Sequence, residues 1–306
     1  HRDLHSFPTR RSSDLRKVDW AAVLRADVPF RVEVACHASR IYHDKAAAQR
    51  IQTAIAEGLG APVDAKAELV VKARIDDDLC TISLDTSGES LHKRGHKEAV
   101  GKAPLRETVA AAVLRAMGFD GSQTVVDPMC GSGTFLLEAA ELAAGLLPGR
   151  ARAFAFEGLA TFDPAVFARL NTASVRSPVL RFFGSDRDQG AIAGAIANAT
   201  RAGVAGWCQF QRRAISDLTP PEGPPGMVLI NPPWGSRIGE RKLLFALYGA
   251  MGTTLRDRFV GWDLGILAPD AGLIKATGLR LSAGPTLELG GTRVTLWQGH
   301  LPGVGA

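Results

Sequence analysis

Val125-Val126-Asp127-Pro128-Met129-Cys130-Gly131-Ser132-Gly133-Thr134, continued by Phe135-Leu136-Leu137-Glu138-Ala139-Ala140, is the stretch whose reading decides the fold. Its lead-in, Gln123-Thr124-Val125-Val126, is β-rich and bounded by Gly121 and Ser122, whereas Phe135, Leu136, Ala139, Ala140 and Ala143 recur at helical spacing. Strand, tight glycine turn and helix are therefore predicted. Gly131 and Gly133 let the backbone approach a ligand closely, and the helix start behind them offers free amide donors. A dinucleotide fingerprint would need a glycine where Leu136 stands, and a phosphate-binding P-loop would need a lysine that is absent here. Asp127 at the strand end would repel a pyrophosphate. The turn suits a small polar ligand with a cationic end.

This loop resembles the S-adenosylmethionine loop of class I methyltransferases. The resemblance implies that Asp127, Pro128, Gly131, Ser132 and Gly133 meet the methionine part of that cofactor.

Working outward, residues 123–300 alternate strand and helix, which argues a mainly parallel sheet with helices on both faces and a terminal antiparallel strand. Leu180-Arg181-Phe182-Phe183-Gly184-Ser185-Asp186 reads as the second strand, Cys208-Gln209-Phe210 as a short third and Met227-Val228-Leu229-Ile230 as the fourth. Residues 264–267 read as the fifth, and 279–281 with 292–297 as a terminal pair. Asp186, at the carboxyl end of its strand, is placed to accept the hydroxyls of a ribose, with capping of the following helix as the plainer alternative. Asp217, after the third strand, is a candidate acceptor for an adenine amino group. The insertion 148–177 carries Phe154, Phe156, Phe162 and Phe167, read as a packing cluster.

The most specific signal is Ile230-Asn231-Pro232-Pro233-Trp234-Gly235-Ser236-Arg237-Ile238-Gly239. Two prolines donate no backbone hydrogen bonds, so the turn is stiff and shows carbonyl acceptors without competing amides. The Asn231 side chain adds an acceptor beside the Pro232 carbonyl. Two acceptors facing one NH2 group hold both its hydrogens and aim the nitrogen lone pair at a methyl donor. Pro233 stiffens the turn, and Trp234 supplies a flat face on which an extruded base can stack.

Toward the amino terminus, residues 30–91 read as a compact α/β unit. Residues 30–34 alternate as a strand, Asp44 is the expected cap of a helix with Ala47, Ala48, Ile51, Ile55 and Leu59 on its apolar face, and residues 69–75 and 79–85 pair around Asp76-Asp77-Asp78. Consecutive aspartates do not converge on a metal, so this trio reads as a turn. Leu91-His92-Lys93-Arg94-Gly95-His96-Lys97 is a basic run, and Lys93 and Arg94, with Arg237, are candidate RNA phosphate contacts. Ser6-Phe7-Pro8-Thr9-Arg10-Arg11-Ser12-Ser13-Asp14-Leu15 resembles the translation of a short-read sequencing adapter. Residues 1–15 are accordingly expected to stand outside the fold, with the natural gene beginning upstream of Arg16.

Composition narrows the class further. An apolar share of 46% over 306 residues supplies a large domain and a smaller one, and the net charge of +5 permits a polyanionic partner without requiring one. The four cysteines, Cys36, Cys80, Cys130 and Cys208, form no Cys-x-x-Cys clip, and no apolar run reaches the length of a membrane span. A cytoplasmic monomer with no metal and no membrane attachment is expected.

Residues 127–140, 184–188 and 231–239, preceded by Arg94-Gly95 and Pro104-Leu105-Arg106-Glu107, resemble the THUMP-containing RNA guanine-N2 methyltransferases over roughly residues 30–300. The resemblance implies an α/β protein with a Rossmann-like class I methyltransferase sheet at 121–306, a linker and leading helix at 93–120, and a partial THUMP-type RNA-binding module at 16–92. It further implies N2-methylguanosine formation with S-adenosyl-L-methionine, on 23S ribosomal RNA ahead of transfer RNA. In that family the residue after Pro-Pro is often tyrosine, where this chain has Trp234. Adenine-N6 methylation of nucleic acid, glutamine-N5 methylation of protein, and a catalytically silent RNA-binding protein are the rival readings. No cysteine follows Pro-Pro, which disfavours methylation of a pyrimidine ring carbon through a thiolate.

Overall fold

Strands of two contrasting kinds, half-buried and fully buried, stand in the two sheets of this chain. Residues 30–37 and 79–85 alternate between core and surface, whereas 125–127 and 227–230 are buried at every position. Continuous burial needs cover on both faces, the situation of a parallel sheet sandwiched by helices. The computed structural model describes residues 2–8, 12–98, 105–179, 181–234 and 241–302. The chain divides into one unit of His1–Leu91 with Arg152–Thr172, and a second of His92–Ala151 with Ala173–Ala306.

The first unit contains β1 (Arg2–Pro8), β2 (Phe30–His37), α1 (Asp44–Leu59), β3 (Leu69–Asp76) and β4 (Leu79–Asp85), with sheet order β1-β4-β3-β2. β2 and β3 run parallel through the α1 crossover, and Ala47, Ile51, Ala54 and Ile55 are the helix face that joins the core. The β3–β4 turn is made by Asp77 and Asp78 at φ 48° and 59°, a conformation that aspartate tolerates better than most side chains. Two expectations change. The cap of α1 is His43, whose Nδ1 accepts from the Ala46 amide at 3.3 Å, while Asp44 instead accepts from the Cys36 amide at 3.0 Å. Arg2–Pro8, expected to stand outside the fold, pairs as β1 antiparallel with β4, and Leu15 is buried, its carbonyl accepting from Trp20 Nε1 at 3.0 Å. The outer edge of β4 is a row of amides and carbonyls that any extended segment can satisfy, whatever its origin.

The second unit begins with α2 (Glu107–Ala116), β5 (Val125–Asp127) and α3 (Thr134–Ala144). The chain then contributes residues 152–172 to the first unit, a return that the sequence boundary near residue 92 does not anticipate. There α4 (Pro164–Leu170) is capped by Asp163, Ala155 and Leu159 join the core, and Phe154, Phe156, Phe162 and Phe167 form the aromatic cluster, with centroids as close as 5.2 Å.

Back in the second unit follow β6 (Phe182–Asp186), α5 (Gln189–Ala202), β7 (Cys208–Arg212), β8 (Met227–Ile230), α6 (Arg241–Arg258), β9 (Asp263–Ala268), α7 (Ala271–Ala276), β10 (Ser282–Leu289) and β11 (Thr292–His300). The sheet order is β10-β11-β9-β8-β5-β6-β7, parallel except for β11, which runs antiparallel between β9 and β10. Alternate residues feed two cores. Val125, Phe182 and Leu229 meet α2, α3 and α5, while Val126, Val228 and Ile230 meet α6 and α7. Each such side chain contributes about 1.5–3 kcal/mol on burial.

The first strand of the terminal pair lies later than expected: residues 279–281 precede it, and β10 runs over Ser282–Leu289 with Gly284 and Pro285 inside it. A register shift between Ala283 and Thr286 absorbs the proline, which an edge strand tolerates. What matters for function is the centre: β5 lies between β6 and β8, so the direction of winding reverses there and a crevice opens at the carboxyl ends of these strands.

Candidate active site

Three turns converge on that crevice. After β5, Gly131 and Gly133 take φ of +50° and +84°, where other residues are strained, and Gly133 caps α3. Their needs differ. A Cβ on Gly133 would press on Leu137, Ala195 and Phe210 at 3.0–3.3 Å, whereas one on Gly131 would meet nothing within 4 Å. Gly133 serves the packing of the protein, and Gly131 leaves open space. The loop is held from behind by Asn198, whose Nδ2 donates to the Ser132 carbonyl at 3.1 Å, and by Lys97, whose ammonium donates to Thr134 Oγ1 at 3.2 Å.

Asp186 closes the second side. Its Oδ2 accepts from the Gly131 amide at 3.1 Å and its Oδ1 from the Asp188 amide at 3.0 Å, so each oxygen keeps a lone pair for a further donor. It is not the helix cap. Asp188 caps α5, accepting from the Gly190 and Ala191 amides at 2.7 and 3.4 Å.

The turn after β8 forms the third side. Pro232 is buried and Pro233 exposed, and Trp234 Nε1 donates to Asn231 Oδ1 across 3.4 Å. Tryptophan lacks a phenol, but its ring nitrogen orients the asparagine, a role the sequence did not suggest.

Together these turns enclose a cleft of about 560 Å³, within the size range of small-molecule sites. Of the candidates from sequence, Pro128, Asp186, Asn231, Pro232, Pro233 and Trp234 line it. Met129, Arg187, Arg213, Ala214, Ile215 and Leu247 complete the lining. No local motif marks Leu247, which arrives from α6; Ala214 and Ile215 belong to the segment after β7 in which Asp217 was the candidate. Asp217 is exposed, does not line the cleft, and accepts from Ser216 Oγ at 3.3 Å. Its position follows from the short helical turn Ile215–Asp217, which buries Ile215 and rotates Asp217 outward.

Asp127, Gly131, Ser132 and Gly133 stand in the loop without lining the cleft. Asp127 is 2% exposed and accepts from the Met129 amide at 3.1 Å. Burial, reinforced by the neighbouring Asp186, pushes its carboxyl up to about 8 despite that amide. A cation brought near would draw the proton off. Cys130 is buried, and its thiol is pushed well above the usual cysteine range by burial, so it is no thiolate nucleophile.

The basic run ahead of the sheet is built differently from the expected phosphate contact. Arg94 is turned inward, its Nε and Nη2 donating to the two carboxylate oxygens of Glu138 at 3.0 and 3.2 Å. Lys97 pairs with Glu107 at 3.0 Å, and Arg150 with Glu141 at 2.7 Å. Burial pushes Glu138 up to about 7 against the opposing pull of Arg94. The carboxylates of α2 and α3 point into the domain and recruit the run. Lys93 is exposed, and Arg237 lies outside the described residues. Among the described residues, no group of three or more His, Cys, Asp or Glu is placed to hold a metal ion, and no helix is long and apolar enough to cross a membrane.

Known proteins share this architecture. "Putative RNA methyltransferase slr0064" of Synechocystis is 32% identical over 302 residues, which cover 94% of this chain and 78% of that protein. Ribosomal RNA large subunit methyltransferase K/L of Chromohalobacter salexigens is 36% identical over 286 residues. That match covers 87% of this chain, which spans only 39% of the relative's length. Among solved structures, SMU.472 complexed with SAH superposes with a TM-score of 0.85 at 26% identity, covering 99% of this chain and 84% of that one. The RMKL-like methyltransferase domain model matches residues 94–288, more than half of the chain. The chain belongs to the RMKL-like methyltransferase domain family.

Proposed function

We propose that this chain is an S-adenosylmethionine-dependent RNA methyltransferase that methylates the N2 amine of a guanine in large-subunit ribosomal RNA. One observation carries the reading: Asn231 and Pro232 of the turn after β8 and Asp186 of β6 line one cleft. A group with a diol and a group with an NH2 therefore fit side by side. The relatives named above for RNA methylation, and the relative solved with SAH, support the choice of cofactor and substrate class.

The residues present fit the adenosyl cofactor. Asp186 retains a lone pair on each oxygen for the ribose hydroxyls, Ile215 and Ala214 offer an apolar face to the adenine, and the open space at Gly131 admits the methionine part beside Pro128 and Met129. The bound cofactor supplies an electrophilic methyl on sulfur. Asn231 Oδ1 and the Pro232 carbonyl accept the two hydrogens of the guanine amine, which fixes its lone pair toward that methyl. They also stabilise the positive charge that develops on nitrogen during transfer. Trp234 stacks the extruded base and holds Asn231 through its ring N–H. Residues 16–92 serve as a partial THUMP-type RNA-binding module in this reading, with the exposed Arg187 at the cleft meeting phosphate in place of Arg94.

Labelled S-adenosylmethionine and unmodified ribosomal RNA test the proposal through nucleoside digestion of the product. Label in N2-methylguanosine is the expected result. Label in N6-methyladenosine, on a ring carbon, or on protein alone would overturn the guanine assignment.

A further inference from the structure

Beside the cleft lies a second cavity of about 440 Å³, and Arg213 lines both. Its origin is topological. The chain passes from β7 to β8 without an α-helix, so the row Val126, Phe183 and Gln209, with Ser185 and Gln211 beyond it, is roofed among the described residues by the loop 218–222. Apolar wall comes from Phe183, Pro220 and Pro221.

Ser185 is the telling residue. It is 4% exposed, it lines the cavity, and its hydroxyl has no hydrogen-bond partner among the described residues. A buried hydroxyl without a partner is costly, and one at the floor of a cavity is satisfied by whatever enters. Around it the chemistry is specific. Gln211 Oε1 accepts from Arg213 at 3.1 Å, which turns its amide nitrogen into a donor for a ligand; Arg213 also donates to Thr219 Oγ1 at 3.0 Å. Gln209 offers both a donor and an acceptor. Arg213 and the exposed Glu222 set opposite charges in the lining, which suits a neutral occupant. Flat apolar walls with mixed donors and acceptors, small size and no charge on the guest describe a nucleobase.

We infer that this cavity takes the base of the nucleotide next to the methylated one. The inference rests on the RNA reading above and deepens it. Extruding the target base into the first cleft strips its neighbour of a stacking partner, and contacts to that neighbour are where sequence context is chosen. Arg213, in the wall shared by both cavities, separates that base from the Ala214–Ile215 end of the first cleft.

The test uses the full chain with fluorescein-labelled single-stranded RNA 12-mers of adenosine, cytidine or uridine, and an abasic 12-mer with the same backbone. Wild type is expected to prefer one base. Ser185→Val, which fills the floor, and Gln209→Ala, an exposed change that leaves folding intact, should each weaken the preferred 12-mer about fivefold to tenfold, the size of one lost hydrogen bond. Neither should alter binding of the abasic 12-mer. Equal affinity for all three bases, equal loss for base-bearing and abasic RNA, no loss in either variant, or no RNA binding at all would overturn the subsite. Calorimetry with S-adenosylhomocysteine separates the two readings: a wild type that does not bind it defeats the methyltransferase reading, whereas base-selective losses judge the subsite.

Discussion

The turn after β5 and the turn after β8 leave neighbouring strands of one sheet, yet they handle backbone hydrogen bonds in opposite ways. In the first, the amides of Met129 and Gly131 are donated to Asp127 and Asp186, and the glycines keep side chains out of the way. In the second, Pro232 and Pro233 remove the donors, and the Asn231 side chain and Pro232 carbonyl are left as acceptors. The difference divides the labour. A donor-rich turn with buried acid suits a cationic cofactor, whereas a donor-poor turn suits an amine whose hydrogens need holding. The division is sharp enough to be broken one turn at a time.

The largest expected effect is on rate, at the second turn. Asn231→Ala should leave the affinity for S-adenosylmethionine near wild type and lower single-turnover methylation by about 10² to 10³, the usual consequence of losing one preorganised hydrogen bond to developing charge. Full activity would remove the proposed mechanism even if the product were right. The first turn should show the opposite signature. In Gly131→Val a β-branched residue is forced to φ +50°, a strain on the order of 1–3 kcal/mol, and its methyls enter the space left for the ligand. Cofactor affinity measured by calorimetry should fall by about 10² or more while the sheet still melts cooperatively. Normal affinity in the folded variant would make this loop a structural turn only.

Both turns were legible in the sequence because each is punctuated by residues with a single backbone meaning, Gly131 and Gly133 in one, Pro232 and Pro233 in the other. The strands around them were legible because Met227-Val228-Leu229-Ile230 has no polar position to expose. Other features depend on partners distant in the chain. Arg94 reads as an RNA phosphate contact until Glu138, 44 residues away, is seen to be buried beside it. Leu247 reaches the cleft only through the path of α6, and residues 152–172 join the first unit through a return that no local pattern encodes. Asp217 shows the same limit within three residues, since a single helical turn decides which of Ile215 and Asp217 faces inward. Local chemistry survives translation from sequence to structure when the backbone alone dictates it, and fails when burial elsewhere decides it.

A smaller effect separates the turns by pH. In the free protein Asp127 holds its proton up to about 8 because its burial penalises the charge. A sulfonium or ammonium nearby favours the carboxylate, so binding expels that proton. Affinity for S-adenosylmethionine should therefore rise with pH up to about 8 and level off above it, by at most about tenfold per pH unit. Calorimetry in buffers of different ionisation enthalpy would count the proton released. Asp127→Asn should abolish the release, and an unchanged release in that variant would place the titrating group elsewhere.

The smallest expected effect probes the link inside the second turn. Trp234 does two things: its ring is the face for the base, and its Nε1–H orients Asn231. Trp234→Phe keeps the first and removes the second. The bond is long at 3.4 Å, so its loss should cost no more than about 1 kcal/mol, a threefold to fivefold drop in single-turnover rate with RNA affinity nearly unchanged. Trp234→Ala removes the face as well and should weaken use of the RNA by about 1–3 kcal/mol of lost stacking. The decisive comparison is with Asn231→Ala already in place: there Trp234→Phe should cost nothing further in rate, because the group that it orients is gone. An additional drop of the same size would mean that the indole N–H acts on the substrate itself.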